Sequence, residues 1–253
     1  MFLFTGKSLR VSAPGQGIVE LCFDRTGSAI NKLDSIAVEE LRSATTAIRN
    51  IPGLRGVLVT SARDNFIVGA DIFEFPDTFF SKSVVEVTAL IGGQNTAFVA
   101  FEDLPVPIVT AINGLALGGG FEMALSSDYR VMADSAQIGL PEVSLGLFPG
   151  FGGTVRLARL IGAKHAAQWV ADGKPRPANV ALDVGATDMV CSLDQLHAKS
   201  LELLERSIND GSWRQRRLVR NGPVARDANP EVFVTALETE AARAKHYPAA
   251  TAA

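Results

Sequence analysis

The stretch AINGLALGGGFEMALSSDYRVMADSAQIGLPE, residues 111–142, dominates what the sequence predicts about fold and chemistry. It opens as an apolar strand, breaks at three consecutive glycines and continues into a short helix that carries Glu122. Twenty residues later, Glu142 follows a Leu-Pro pair in a turn. Glycines at a helix N-terminus leave backbone N–H groups bare, where the helix dipole favours developing negative charge. Two carboxylates beside such groups indicate an acid/base site for chemistry next to a carbonyl.

Each part of this stretch also has a plainer structural interpretation. The glycines at 118–120 alone would suit a tight strand-to-helix packing turn. Glu122 lies among apolar residues, where a carboxylate is uncommon, and a salt bridge at a helix terminus would account for it. Glu142 in isolation has the pattern of an exposed turn acid. A second strand cut by glycine, at residues 69–71, offers either another N–H aimed at a ligand or an ordinary turn capped by Asp71.

Composition and charge exclude several other classes of protein. The 253 residues suffice for one large or two small domains, and 47% hydrophobic with 20% charged residues is ordinary for a soluble globular chain. A net charge of −3 argues against a general nucleic-acid binder. Cys22 and Cys191 lack CxxC spacing, so we expect reduced thiols and neither zinc nor disulfides.

The sequence also lacks a targeting pattern. The first residues have no basic region followed by a long apolar core, as a secretory signal would. The most apolar segment, residues 107–117, falls well short of the roughly 20 residues that a membrane helix requires. We therefore expect a cytoplasmic protein that contacts neither nucleic acid nor a membrane.

Strand and helix signals alternate through the first half of the chain, which is typical of a layered α/β fold. Strands are predicted at 18–23, 54–60, 66–68 and 108–112, helices at 34–50 and 84–101, and a loop at 76–82. The second half is helix-rich, with helices predicted at 154–161, 163–171, 177–182, 193–208 and 232–245. Residues 210–230 are predicted to be irregular, and their arginines Arg214, Arg216, Arg217 and Arg220 to form a solvated face. An α/β core with a mainly helical C-terminal region follows.

Six motifs occur in a single order along the chain. They are NKLD (31–34), FIVGADIFEF (66–75), EDLPVP (102–107), AINGLALGGGFE (111–122), SDYR (127–130) and IGLPEVSLGLFPGFGGT (138–154). Together they resemble the crotonase, or enoyl-CoA hydratase/isomerase, superfamily. Within it the chain is similar to the N-terminal hydratase/isomerase region of the bacterial fatty-acid β-oxidation multienzyme alpha subunit, from residue 18 to about 185 and more loosely to His246.

The resemblance implies a fold and an activity. The fold is the α/β crotonase (ClpP/crotonase-like) fold, with a stacked ββα superhelix core at residues 1–190 and a helical C-terminal region at 191–253, truncated relative to relatives. The activity is hydration of 2-enoyl-CoA to 3-hydroxyacyl-CoA through an oxyanion-stabilised enolate, with Δ3-Δ2-enoyl-CoA isomerisation as a further activity. The implied substrate is an acyl-CoA thioester, so coenzyme A is part of the substrate and no cofactor or metal is expected. A homotrimer or hexamer is also implied.

The resemblance also assigns residues by position. Ala70 and Gly119 match the two backbone N–H donors that hold the thioester oxygen. Glu122 matches the carboxylate that positions and deprotonates the attacking water, and Glu142 matches the group that delivers a proton to the α-carbon. Neighbouring residues are expected to bind substrate: Gly69, Asp71, Ile72, Gly118, Gly120, Leu140 and Pro141. Phe73 stands where many relatives carry a lysine for the CoA phosphates, so CoA affinity is expected to rest elsewhere or to be weaker.

Two other functions stay open from the sequence alone. One is a dehydratase or hydratase acting on acyl groups held by a carrier protein in a biosynthetic pathway. The other is a noncatalytic crotonase-fold module that uses its pocket or its surface for binding. The presence of both Glu122 and Glu142 argues against the noncatalytic module. For the arginines at 214–220, the alternative to a solvated face is contact with a CoA phosphate or a partner protein.

Overall fold

A seven-stranded sheet forms the centre of the computed structural model, which describes residues 2–222 of the chain. The strands are β1 (Phe2–Thr5), β2 (Leu9–Gly15), β3 (Ile18–Phe23), β4 (Gly56–Ser61), β5 (Ile108–Ile112), β6 (Leu115–Leu117), β7 (Tyr129–Ala133), β8 (Gln137–Gly139), β9 (Arg176–Pro177) and β10 (Met189–Cys191). The large sheet has the order β1-β2-β3-β4-β5-β7-β10. Its first two pairings are antiparallel and the others are parallel.

Helices pack against this sheet, and three of them contribute residues to the site described below. They are α1 (Ser35–Arg49), α2 (Phe75–Phe79), α3 (Val84–Glu102), α4 (Gly119–Leu125), α5 (Gly153–Ile161), α6 (Ala163–Asp172), α7 (Ala178–Asp183), α8 (Leu196–Asp210) and α9 (Ser212–Asn221). Parallel strands covered on both faces need continuous apolar runs, and every residue of β5 is buried. Asp34 caps the N-terminus of helix α1, because its side chain accepts the Ala37 N–H at 2.9 Å.

A second, smaller sheet carries the segment between β5 and α4. Strand β6 pairs in parallel with β8, and β8 pairs antiparallel with β9. The Gly118 N–H donates to the Gly139 carbonyl at 2.9 Å, one residue beyond β6. This sheet therefore fixes the position at which the chain turns from strand into α4.

Three local predictions are wrong. Residues 66–68 form no strand, because only an isolated bridge joins Ile67 to Ala116. The predicted loop at 76–82 contains α2, which begins with proline in its first turn, a position that proline favours. The predicted irregular segment after residue 210 contains α9.

Helix α3 corrects the expectation that no segment reaches membrane-spanning length. It has 19 residues and a mean hydropathy of 1.3, and within residues 2–222 it alone is long and apolar enough to cross a membrane. Gly92 and Gly93 do not interrupt it, and a capping box between Ser83 and Glu86 starts the helix. Only 17% of its apolar window is buried, and this composition by itself does not place the chain in a membrane.

The helices after β10 pack onto the core. Helix α8 lies against β4, β5 and β7, and α9 follows it after Gly211. The predicted solvated face on α9 is wrong for Arg217 and Arg220, whose guanidinium groups pair with Asp128 and Glu102. The domain boundary near residue 190 stays a prediction, and the predicted helix at 232–245 lies outside the described residues.

Candidate active site

The glycines at 118–120 allow the backbone to turn and let neighbouring groups approach it closely. Gly118 has φ +52°, and a Cβ atom there would lie 3.0 Å from Oε1 of Glu142. A Cβ atom on Gly120 would lie 2.2 Å from the Ile67 carbonyl oxygen, so that glycine allows close packing. Gly120 thus fits the packing interpretation, and Gly118 leaves room for the Glu142 side chain.

A second turn at residues 69–71 lies beside this run. The Gly69 carbonyl accepts the Leu33 N–H and the Asp71 N–H donates to the Leu33 carbonyl, both at 2.9 Å. Because hydrogen-bonding groups alternate in direction along an extended segment, the Ala70 N–H points away from Leu33. The Gly69 Cα atom is 3.8 Å from the Cβ position of Gly118, so the two turns touch.

The two turns open onto a cavity of about 160 Å³. Eight residues predicted to form the site line it: Gly69, Ala70, Ile72, Gly118, Gly119, Glu122, Pro141 and Glu142. Within residues 2–222, neither the Ala70 N–H nor the Gly119 N–H donates to another protein group. Both residues line the cavity.

Glu122 is buried in α4 with 1% of its surface exposed. Its Oε1 accepts the N–H groups of Phe151 at 2.8 Å and Gly153 at 2.7 Å. No ion pair to Glu122 forms among the described residues, which removes the salt-bridge interpretation. Burial, followed by the charge of Glu142, raises the pKa of Glu122 to about 8, while the two N–H groups and Arg156 act in the opposite direction.

Glu142 lies in the 3₁₀ turn Pro141–Leu145, facing the glycine run. It is half-buried rather than exposed, and its Oε2 atom is buried without a hydrogen-bond partner in the described part of the chain. Burial raises the pKa of Glu142 to about 7. Both carboxyl pKa values thus lie near neutrality, and the two groups that face this cavity titrate as a pair.

Comparison with known proteins identifies the family. The family model described as Enoyl-CoA hydratase/isomerase matches residues 14–250. The chain belongs to this family. Among curated relatives of this enoyl-CoA hydratase/isomerase family member, the fatty acid oxidation complex subunit alpha of Pseudomonas syringae pv. syringae is 51% identical over 209 residues. The corresponding subunit of Pseudomonas putida F1 is 52% identical over the same length. The matched part is 82% of this chain and 29% of each relative, so the chain spans less than a third of their length.

Solved structures of the family confirm the crotonase fold. The enoyl-CoA hydratase from Bacillus anthracis matches with a TM-score of 0.75 and 29% identity, over 95% of this chain and 92% of that one. An enoyl-CoA hydratase structure from Geobacillus kaustophilus HTA426 matches with a TM-score of 0.77 and 27% identity, over 98% and 92% of the two chains. The α/β fold with helices after the core is thus as expected from the motifs.

Three residues predicted to bind substrate do not line the cavity. Asp71 caps the following turn through the Phe73 N–H and pairs with Lys32, so its capping interpretation is the one observed. Leu140 is fully buried in the core, and Gly120 packs against the backbone.

Much of the cavity wall was not predicted from the sequence. The additional lining residues are Val68, Phe75, Phe79, Ile91, Leu145, Leu147, Phe148, Gly150 and Phe151. Most are apolar, which suits an acyl chain. The apolar residues at 145–151, just before Gly152 and Gly153, were a sequence signal for this wall. Apolar side chains in an irregular segment commonly mark a binding surface.

The histidines and acids form no metal centre in the part of the chain that the structure covers. Within residues 2–222, no group of three or more His, Cys, Asp or Glu side chains could hold a metal ion. His165 lies near the Ile161 carbonyl, and His197 faces Glu20 at 3.5 Å on the surface. Neither histidine lines the cavity.

Proposed function

We propose that this chain hydrates 2-enoyl-CoA thioesters to 3-hydroxyacyl-CoA. The observation that carries the proposal is the meeting of Glu122 and Glu142 in one cavity with the N–H groups of Ala70 and Gly119. Membership of the enoyl-CoA hydratase/isomerase family supports the general reaction. The name of the relatives, fatty acid oxidation complex subunit alpha, supports fatty acyl substrates.

The two N–H groups act on the thioester carbonyl. Addition of water to a conjugated enoyl thioester places negative charge on the carbonyl oxygen as the enolate forms. Donors at Ala70 and Gly119 stabilise this charge, and each such donor is typically worth about 3 kcal/mol. The apolar cavity wall excludes water from these hydrogen bonds and thereby strengthens them.

The two carboxyls handle the protons. In the reactive form of the pair, ionised Glu122 takes a proton from the attacking water while the water oxygen bonds to C3, and protonated Glu142 delivers its proton to C2 of the enolate. Without substrate the higher pKa of Glu122 favours the opposite placement of the proton, so the reactive form is the less populated arrangement of the singly protonated pair. The N–H groups of Phe151 and Gly153 stabilise charge on Glu122, and the partnerless Oε2 of Glu142 suits a neutral carboxyl group. After the reaction the proton has moved from Glu142 to Glu122, and exchange with solvent resets the pair.

Isomerisation of 3-enoyl-CoA is a second activity that the same site supports. It uses the same enolate, and requires removal of a proton from C2 and its return at C4. Because both carboxyls line one cavity and both have raised pKa values, either can carry that proton.

We also propose that the protein assembles as a homotrimer or hexamer. Four apolar side chains near α2 and α3 are largely exposed in the single chain, namely Phe73, Phe80, Val84 and Val85. Apolar clusters of this kind are commonly covered in oligomers. Light scattering during size-exclusion chromatography measures the mass, and a monomer at micromolar concentration would contradict the assembly.

The proposed reaction is tested by loss of the conjugated thioester absorbance. Crotonyl-CoA and longer 2-enoyl-CoAs are the substrates, and a 3-enoyl-CoA and a carrier-protein thioester run in parallel separate the alternatives. Wild type should hydrate at least about 1000-fold faster than the double variant Glu122→Gln/Glu142→Gln. Glu205→Gln, an exposed acid on α8, should behave as wild type. Equal rates for wild type and the double variant would refute the assignment.

A further inference from the structure

Residues 149–153, between the Glu142 turn and α5, form the loop that holds Glu122. The Phe151 and Gly153 N–H groups both bind Oε1 of Glu122, which leaves its Oε2 to the cavity. A loop rich in glycine has little conformational preference of its own. Other groups must therefore hold it in place if its two N–H groups are to converge on one oxygen.

Arg156, one turn into α5, is the polar side chain that holds Phe151. Its Nη1 donates to the Phe151 carbonyl at 2.7 Å, while Nε and Nη2 reach Oε2 of Glu102 at 2.9 Å and 2.8 Å. The residue is 8% exposed. Gly152 has φ +90°, and a Cβ atom there would lie 2.2 Å from Nη1, so glycine makes room for the guanidinium.

Helix α3 supports the other side of the loop. The Phe98 ring stacks on the Phe151 ring with 4.9 Å between centroids, and Asn95 donates to the Gly150 carbonyl at 2.5 Å. These contacts fix the ring and the preceding peptide. Among these side chains, Arg156 alone bonds to the peptide group between Phe151 and Gly152. That peptide group lies directly before the Gly153 N–H.

Glu102 connects Arg156 to helix α9. Its other carboxylate oxygen lies 3.2 Å from Arg220 on α9, and Arg220 lies 3.8 Å from Asp128. Arg217 completes this cluster with a bidentate pair to Asp128 at 2.7 Å. The guanidinium of Arg156 is thus held from two directions, and planar, two-sided bonding of this kind is a property of arginine that lysine lacks.

We propose that Arg156 is a positioning residue for the acid/base carboxylate of Glu122. It holds the Phe151 peptide so that two N–H groups converge on Oε1 and Oε2 stays free for the attacking water. The inference rests on the proposed function in assigning Glu122 as the base. The positive charge of Arg156 also favours the ionised form of Glu122. The other charged group that acts on Glu122 is Glu142.

The test compares Arg156→Gln, Arg156→Lys and the matched control Arg159→Gln, which changes an exposed arginine on the same helix. One readout is hydration of crotonyl-CoA as a function of pH. The other is titration of the Glu122 carboxyl in the protein without substrate, by infrared difference spectroscopy against Glu122→Gln. The second readout does not depend on any activity.

In Arg156→Gln the loss of charge and of loop support should raise the pKa of Glu122. We expect its carboxyl titration to move up by roughly half a pH unit or more. Because Glu122 has the higher pKa of the pair, the basic limb of the kcat/KM profile should move up with it. kcat should fall about 10-fold or more with a smaller change in KM, because a misplaced base affects the chemical step more than binding. Arg156→Lys keeps the charge but cannot bond Phe151 and Glu102 together, so kcat should fall with a smaller pH shift. Arg159→Gln should match wild type.

A merely structural role predicts a different result. In that case Arg156→Gln lowers the melting temperature while the pH profile and the Glu122 titration stay at wild-type values, which would overturn the inference. If Arg156→Gln does not fold, Arg156→Lys decides, and wild-type kcat in that variant would overturn the inference. A wild-type protein that hydrates no enoyl-CoA refutes the proposed function instead, and the infrared titration then still tests the effect of Arg156 on Glu122.

Discussion

Replacing Glu122 by glutamine should stabilise the protein, and increasingly so as the pH rises. The carboxyl pKa is about 8 in the folded protein, against 4.5 for an ordinary solvent-exposed glutamate. Between these values the unfolded chain has lost the proton that the folded protein retains, so the stability of wild type falls with rising pH. Glutamine carries no charge at any of these pH values, and its carbonyl oxygen can still accept the Phe151 and Gly153 N–H groups.

The size of this effect follows from the same pKa shift. One pKa unit corresponds to about 1.4 kcal/mol, so the shift of Glu122 is worth on the order of 5 kcal/mol once both states are ionised. The stability gained by Glu122→Gln should therefore be small near pH 5 and larger by about 3 to 5 kcal/mol near pH 8.

Urea unfolding of wild type and Glu122→Gln at pH 5 and pH 8 measures the two differences directly. Glu205→Gln, an exposed acid, is the control and should change stability equally at both pH values. A stability difference for Glu122→Gln that is flat from pH 5 to pH 8, or that shrinks, would refute the account of a carboxyl whose charge is disfavoured by burial.

Two further substitutions test the packing around the site. Gly118→Ala places a Cβ atom 3.0 Å from Oε1 of Glu142 at a positive φ, so kcat should fall at least about 10-fold in the hydration assay. An unchanged kcat would show that the glycine is not required there. Arg217→Leu leaves buried Asp128 without its bidentate partner and should cost about 3 kcal/mol in urea unfolding, whereas exposed Arg214→Gln should cost under about 0.5 kcal/mol. Equal costs for the two arginines would contradict the buried pair.

The parts of the fold that the sequence predicts well are those set by local pattern. Strand β5 coincides with the predicted strand at 108–112, because an apolar run before a glycine turn admits few other structures. Glu122 was identified because a carboxylate among apolar residues stands out against its neighbours. The resemblance of the motifs then added Ala70, whose proposed role depends on a turn far from Glu122 in sequence.

What the sequence did not predict depends on contacts between distant residues. Helix α9 has the composition of a solvated segment, and only the structure shows that Arg217 pairs with Asp128, 89 residues earlier. The hydrogen bonds from the Phe151 and Gly153 N–H groups to Glu122 likewise join residues that lie 29 and 31 positions apart. Because a backbone N–H is the same in almost every residue type, the residue types at 151 and 153 do not identify these two positions as donors to Glu122.

Isotope labelling of the product tests the central claim most directly. Crotonyl-CoA is incubated with the protein in ¹⁸O-water and, separately, in deuterium oxide, and the product is analysed by mass spectrometry and NMR. Addition of water by Glu122 with protonation by Glu142 predicts 3-hydroxybutyryl-CoA with one ¹⁸O at C3 and one deuteron at C2. Product that forms without ¹⁸O at C3, or free CoA and a carboxylic acid in its place, would contradict conjugate addition of water in this cavity.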